Sequence, residues 1–324
     1  MEERLRENIL QDRQSILFLN RRGNSRCLVC VECGEAPTCP RCSVSLTYHS
    51  ANRRLMCHYC GYSQWLDDSC PECGGELKHV GAGTQMIETE LKELFPDTEV
   101  IRLDTDTVTA AGSHEALFER FRNEKIPIMV GTQMVTKGLN FENVTLVGVI
   151  SADQSLYAGS FRAGERTFSL LTQVVGRSGR GSKPGRAIIQ TFTPENETIL
   201  QASRQDYEDF YESEIQLRRL QNTPPFSEML TVTASGLNEA HVFQACRYVR
   251  DRLDNIIGRD GSAVVLGPAP LAVVKVNNRY RYRVIIYGKK LSGLRGIVSG
   301  LVIECCTDKR FSDVSVYADN DPAE

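Results

Sequence analysis

Gln173-Val174-Val175-Gly176-Arg177-Ser178-Gly179-Arg180 sets two arginines three residues apart, each behind a glycine. Glycine lets a tight turn bring its backbone close to a phosphate. The planar guanidinium, always charged, meets two phosphate oxygens at once. Upstream, Gly131-Thr132-Gln133-Met134-Val135-Thr136-Lys137-Gly138 closes the apolar run Ile126 to Val130, the pattern of a buried strand with a polar exit loop. A helix around Thr167 to Val175 delivers the arginine pair, and the strand Val144 to Ile150 before it exits through Ser151-Ala152-Asp153.

Moving outward, the same alternation continues. Gly185 to Phe192 reads as a last strand, and Val100 to Leu103 as another with Asp104-Thr105-Asp106-Thr107 as its exit loop. Thr84 to Leu94 is a helix with Met86, Ile87, Leu91 and Leu94 inward; His114 to Asn123 is a helix with Leu117, Phe118 and Phe121 inward. Ser15-Ile16-Leu17-Phe18-Leu19 is a continuous apolar strand leaving through Asn20-Arg21-Arg22-Gly23, and a short amphipathic helix with Leu5, Ile9 and Leu10 precedes it. Arg21 and Arg22 stand at the carboxyl end of a parallel strand, where open α/β sheets place their sites. A DNA contact and a solvated loop are equally good readings of them. Strands alternating with helices give an α/β fold with a parallel sheet covered on both faces.

Between the first strand and the helix at Thr84, nine of the twelve cysteines fall within Cys27 to Cys73. Eight form C-x-x-C pairs: Cys30/Cys33, Cys39/Cys42, Cys57/Cys60 and Cys70/Cys73. Gly34, Gly61 and Gly74 follow the second cysteine of their pairs, which permits the left-handed exit of a metal knuckle. Four clustered pairs suit two tetrahedral metal sites, whereas thioredoxin-type redox chemistry needs one pair and a disulfide scaffold would spread its pairs. An all-thiolate tetrahedron takes iron as well as zinc. Complete thiolate shells make both sites structural and leave His58 without a ligand's task. Cys27 is the odd thiol, either free in the strand leading in or a competing ligand. Val44, Leu46 and Tyr48 alternate, and Asn52-Arg53-Arg54 turns back to Leu55 and Met56, so a hairpin joins the knuckles. About fifty residues bury little core, and metal must supply the stability. The lone tryptophan, Trp65, either caps that core or stacks on a base.

Beyond Thr223-Pro224-Pro225-Phe226 the composition changes. The charged helix Tyr207 to Leu220 ends there. A strand (Met229 to Ser235), a helix (His241 to Ile257), a strand and turn (Val264 to Pro270), a strand (Tyr282 to Tyr287), a helix (Leu291 to Cys305) and a strand (Val314 to Tyr317) follow as a small α+β domain. From Lys275 to Lys290 the chain holds six cations and no acid. Strand alternation puts Arg279, Arg281 and Arg283 on one face and Tyr280 and Tyr282 on the other. Such a row suits DNA phosphates or an acidic protein tail; the plain alternative is a solvated face with its tyrosines in the core.

The bounds agree. A chain of 324 residues with net charge −3 and 41% hydrophobic content fits a soluble protein of two or three domains whose nucleic-acid contacts, if any, are local. Without a long apolar run or signal peptide, the expected place is the cytoplasm, with no membrane contact.

The Gly131 and Gln173 stretches, in this order, resemble motifs V and VI of superfamily 2 helicases. With the interrupted first strand and four C-x-x-C pairs, the whole chain resembles the C-terminal half of the bacterial primosomal replication-restart helicases, the PriA family. The resemblance implies a RecA-like helicase lobe 2 (1–25 and 79–222), an inserted double-zinc ribbon module (26–78) and an α+β C-terminal domain (223–324). It implies one zinc on Cys30, Cys33, Cys70 and Cys73, and another on Cys39, Cys42, Cys57 and Cys60. It further implies ATP-driven 3′→5′ unwinding at abandoned forks, then primosome assembly. Arg177 and Arg180 would be catalytic at ATP with Mg2+, while Gln173, Gly176, Thr132, Gln133, Lys137, Gly138 and Asp153 would couple ATP to DNA. Ser151 departs from the family's acid and takes no role.

Implied partners are forked and single-stranded DNA, single-stranded DNA-binding protein, primosome and helicase-loader proteins, and the missing N-terminal half. The chain lacks both a P-loop and a D-E-x-H box, so ATP hydrolysis by itself is not expected. The competing reading is a non-enzymatic zinc-ribbon module that binds DNA or primosome proteins.

Overall fold

The structure is a computed structural model. It describes all residues except 20–26, 43, 50–51, 68, 81–82, 104–113, 133–140, 177–183, 259–262 and 323–324, and the side chains at 27, 79 and 80 are also outside the description. Arg21, Arg22, Gln133, Lys137, Gly138, Arg177 and Arg180 lie outside the described residues, as does the expected exit loop at Asp104.

A five-stranded parallel sheet organises the first part of the chain. Its strands are β1 (Gln14–Leu19), β7 (Val100–Leu103), β8 (Ile128–Gly131), β9 (Val144–Ile150) and β10 (Arg186–Ile189), in the order β10-β9-β1-β8-β7. Central β1 is buried along its whole length, and its alternation serves two cores. Ile16 and Phe18 join one core with Phe121, Met129, Val147 and Leu171. Leu17 and Leu19 join the other with Leu5, Ile87, Leu91 and Ile128. Two covered faces explain why β1 reads as an unbroken apolar run.

Helices α1 (Glu2–Leu10) and α2 (Thr84–Leu94) cover one face; α3 (His114–Asn123) and α5 (Ala163–Val175) cover the other. The inner face of α2 differs from the expected one. Thr84, Ile87 and Leu91 are buried at spacings of three and four, while Met86 and Leu94 face solvent. Met86 sits about 100° around the helix from Ile87, too far to share its ridge. Leu10 is likewise exposed at the end of α1.

Between β1 and α2 the chain enters a module built of two small antiparallel sheets. Strand β2 (Cys27–Cys30) pairs with β6 (Leu77–Val80), so entry and exit lie side by side. The expected hairpin is β3 (Thr47–His49) with β4 (Arg54–Met56), and β5 (Ser63–Trp65) adds a third strand.

Short α4 (Asp153–Leu156), α6 (Glu197–Arg204) and α7 (Tyr207–Gln221) complete the lobe. Next comes a four-stranded antiparallel sheet, β12-β13-β11-β14, from β11 (Glu228–Gly236), β12 (Ala263–Val276), β13 (Arg279–Gly288) and β14 (Val314–Asn320). Helices α8 (Glu239–Ile257) and α9 (Ser292–Thr307) bury Val242, Val249, Leu253, Val298 and Leu301 against one sheet face. The turn expected after Val264 is instead an irregularity within one long strand: β12 shifts register between Leu266 and Ala269, then continues to Val276. Gly267 makes this possible. Its φ is +96°, and a Cβ there would lie 2.7 Å from the Arg283 carbonyl oxygen.

The opposite face of that sheet is not bare. Met229 and Ile285, with partly buried Leu266 and Tyr287, pack against Leu46, Leu55 and Tyr59 of the inserted module and Phe161 of the lobe. The module is therefore wedged between the lobe and the C-terminal sheet.

Candidate metal centres and helicase motifs

All four knuckles share one local device. The amide of the first cysteine donates to a carbonyl five residues on: Cys30 to Glu35, Cys39 to Val44, Cys57 to Tyr62 and Cys70 to Gly75, at 2.8–2.9 Å. Gly34, Gly61 and Gly74 then leave at φ of +75°, +76° and +76°. These turns gather two sets of thiols, Cys30, Cys33, Cys70 and Cys73, and Cys39, Cys42, Cys57 and Cys60. Within each set the sulfurs lie within 4.8 Å of one another. Sulfur pairs at 3.5 Å (Cys30–Cys73), 3.7 Å (Cys33–Cys70) and 3.7 Å (Cys39–Cys60) match the edge of about 3.8 Å expected when Zn–S is about 2.3 Å. Both clusters thus fit a structural zinc ion in geometry and donor chemistry.

Hydrogen bonding favours the thiolate at one cysteine of each set, whereas burial pushes the Cys39 thiol up to about 11. The Cys33 amide, the largest influence, brings Cys30 down to about 7. The Cys42 thiol, donating to Cys57, brings Cys57 down to about 5.

The two clusters have different surroundings. In the outer one Cys33 and Cys73 are exposed, and its knuckle rests on the lobe. Tyr157 donates its hydroxyl to the Gly34 carbonyl at 3.2 Å, and a Cβ on Gly34 would fall 2.3 Å from Thr193 Cγ2. The inner cluster has two buried and two half-buried cysteines and rests on the C-terminal sheet. Between its cysteines, His58 Nδ1 lies 2.8 Å from the Pro270 carbonyl oxygen. Burial brings His58 down to about 4, so the ring is neutral at neutral pH. A carbonyl only accepts, so Nδ1 carries the proton, and Nε2 accepts from His49 Nε2 at 3.3 Å. His58 serves as a tie rather than a ligand, and sequence gave no sign of its distant partner.

The basic row alternates as expected, with Tyr280 and Tyr282 packed towards the helices. Its arginines, however, hold internal carbonyls. Arg279 donates to Ser235 O at 2.9 Å, Arg281 to Val273 O at 2.7 Å and Arg283 to His58 O at 3.4 Å. The Arg283 guanidinium also lies 5.4 Å from the centre of the Tyr59 ring.

Among the helicase-motif residues, Thr132 follows β8, and Gln173 is exposed on the last turn of α5, which Gly176 caps. Asp153 is buried in the first turn of α4. It accepts from Thr191 Oγ1 at 2.7 Å, Thr193 Oγ1 at 3.2 Å and the Phe192 amide at 3.2 Å. The acid therefore fixes the loop after β10 on which the outer knuckle rests. Ser151, two residues earlier, has φ +55°. Among the described residues no helix is long and apolar enough to cross a membrane.

Three family models match in chain order along the part they cover: the PriA DNA helicase Cys-rich region at residues 39–64, the helicase conserved C-terminal domain at 80–182 and the primosomal protein N C-terminal domain at 219–323. The chain is similar to the replication restart protein PriA of Bacillus subtilis, at 42% identity over 93% of this chain and 37% of that one. That of Synechocystis is 38% identical over 85% of this chain and 34% of its own. The chain thus spans little more than a third of the length of these relatives. Among solved structures it is loosely similar to the Pyrococcus furiosus Hef helicase domain, at 16% identity, 63% of this chain, 27% of that one and a TM-score of 0.28. The chain belongs to the PriA family of replication restart proteins and corresponds to the C-terminal part of its members.

Proposed function

We propose that this chain is the C-terminal portion of an ATP-dependent 3′→5′ DNA helicase. The enzyme recognises stalled or abandoned replication forks and restarts replication through primosome assembly in the cytoplasm. ATP and Mg2+ are held by a P-loop lobe elsewhere in the enzyme, and this lobe presents Arg177 and Arg180 to the γ-phosphoryl group, where charge develops as it leaves. Gln173, Gly176, Thr132, Gln133, Lys137, Gly138 and Asp153 couple that event to the DNA backbone. Arg21, Arg22 and the Arg279–Arg283 row add nucleic-acid or partner contacts. Single-stranded DNA-binding protein and helicase loaders are the partners this reading supplies.

The observation that carries the reading is the helicase C-terminal match from residue 80 to 182, which runs over both the Gly131 and Gln173 stretches within a chain that also holds the family's cysteine-rich region.

The test is DNA-stimulated ATP hydrolysis by this zinc-loaded chain mixed with a separately made P-loop half. Activity is expected in the mixture, and Arg180→Ala should lower its kcat by about a thousandfold or more. A properly assembled mixture without activity, or an Arg180→Ala variant at full rate, overturns it.

A further inference from the structure

Trp65 is the chain's single tryptophan, and it is 66% exposed. It ends β5, one residue past the stretch matched to the cysteine-rich region. The core beneath it is filled by Leu46, Leu55 and Tyr59, so Trp65 does not cap that core. The strand register aligns His49, Arg54 and Trp65 across β3, β4 and β5, and residues directly opposite share a face. The Arg54 guanidinium lies 4.7 Å from the centre of the Trp65 ring. It is held there by bonds from Nη2 to Ser63 O at 3.1 Å and Ser63 Oγ at 2.9 Å. The Leu66 amide donates to Arg53 O at 3.1 Å, which fixes the strand end on which the indole stands.

We propose that Trp65, backed by Arg54, is a stacking platform for an unpaired nucleobase of single-stranded DNA. One ring face is occupied by a cation that is itself anchored, and the exposure leaves indole surface for a second flat partner. An ordered ring loses little freedom on binding, and any base offers a π-face, so the platform is sequence-tolerant. Arg53 and Arg54 favour a phosphate chain beside it, while Asp67 and Asp68, two and three residues on in the sequence, offset that charge. Stacking therefore dominates, and the platform itself should neutralise at most about one phosphate, which gives a shallow salt dependence. This inference rests on the nucleic-acid reading proposed above.

Because the tryptophan is unique, its fluorescence reports on this position alone. An oligothymidylate of about 12 nucleotides, a length suited to such grooves, is titrated into the zinc-loaded chain. Saturable quenching is expected, paralleling the anisotropy of a labelled copy of the oligonucleotide. Trp65→Ala should weaken affinity by about 5- to 150-fold, and Trp65→Phe by less. Unchanged zinc content keeps a folding failure from passing as lost binding. Binding by anisotropy without quenching, or an unaffected Trp65→Ala variant, overturns the platform and leaves the helicase reading standing. No binding of single strands at all overturns the platform and counts against the helicase reading as well.

Discussion

At the scale of single residues, two glycines isolate what the knuckle turn needs from what the lobe needs. Gly34 and Gly74 have φ of +75° and +76°, so a side chain strains both backbones alike. A Cβ on Gly74 meets nothing within 4 Å, whereas one on Gly34 meets Thr193 Cγ2 at 2.3 Å. Gly74→Ala should cost about 1–2 kcal/mol, the left-handed penalty alone. Gly34→Ala should cost about 1–3 kcal/mol more, through overpacking against the lobe. Urea unfolding of the two variants with zinc bound checks this; equal losses would mean that the knuckle is not seated on Thr193. The need for glycine was legible from the C-x-x-C-G pattern. Its second duty was not, because Thr193 lies far along the chain. Asp153 is similar: its place at a strand exit could be read, but the two threonines and the amide that saturate it could not.

At the scale of elements, the two zinc clusters use the same turn and differ in what covers them. The outer one exposes Cys33 and Cys73, while the inner one exposes no cysteine fully and lies against the C-terminal sheet and Phe161. A chelator reaches the outer metal directly but must wait for the module to lift from the sheet to reach the inner one. An opening that costs even about 1.4 kcal/mol slows release about tenfold. Zinc release followed with a chromogenic chelator should therefore show two phases, and Cys33→Ser should abolish the fast one. A single phase, or a Cys33→Ser variant that loses the slow phase, refutes this order. Parallel strands, helices and knuckles were all visible in apolar runs and cysteine spacing. The inner face of α2 and the length of β12 were not: Thr84 is polar yet buried, and Gly267-Pro268 reads as a turn until its neighbour strand continues past it.

At the scale of the whole molecule, the inserted module joins lobe to C-terminal domain, a relation no local pattern discloses. His58 reaches across to Pro270, and Arg283 reaches back to His58. His58→Ala leaves a buried carbonyl without its donor, at a cost of about 1–3 kcal/mol. Hydrogen exchange should then speed up along Ala263–Val276 before it does in the lobe sheet. If both sheets keep their protection, the tie contributes nothing to their union. The row Arg279–Arg283 shows why charge in a sequence is silent about scale. A solvated row, a DNA track and an internal tie have the same letters, and the carbonyls opposite Arg281 and Arg283 add a tie that the letters do not disclose.

The pairing of the lobe sheet also bears on the order in which the chain takes shape as it is made. Central β1 is complete at Leu19, yet both its partners, β8 and β9, begin only at Ile128 and Val144. The cysteine module's entry and exit strands, Cys27–Cys30 and Leu77–Val80, are both made before either partner. A growing chain therefore carries a largely apolar strand upstream of a cysteine module whose own strands are already paired, and must keep that strand from other chains until the rest of the sheet arrives.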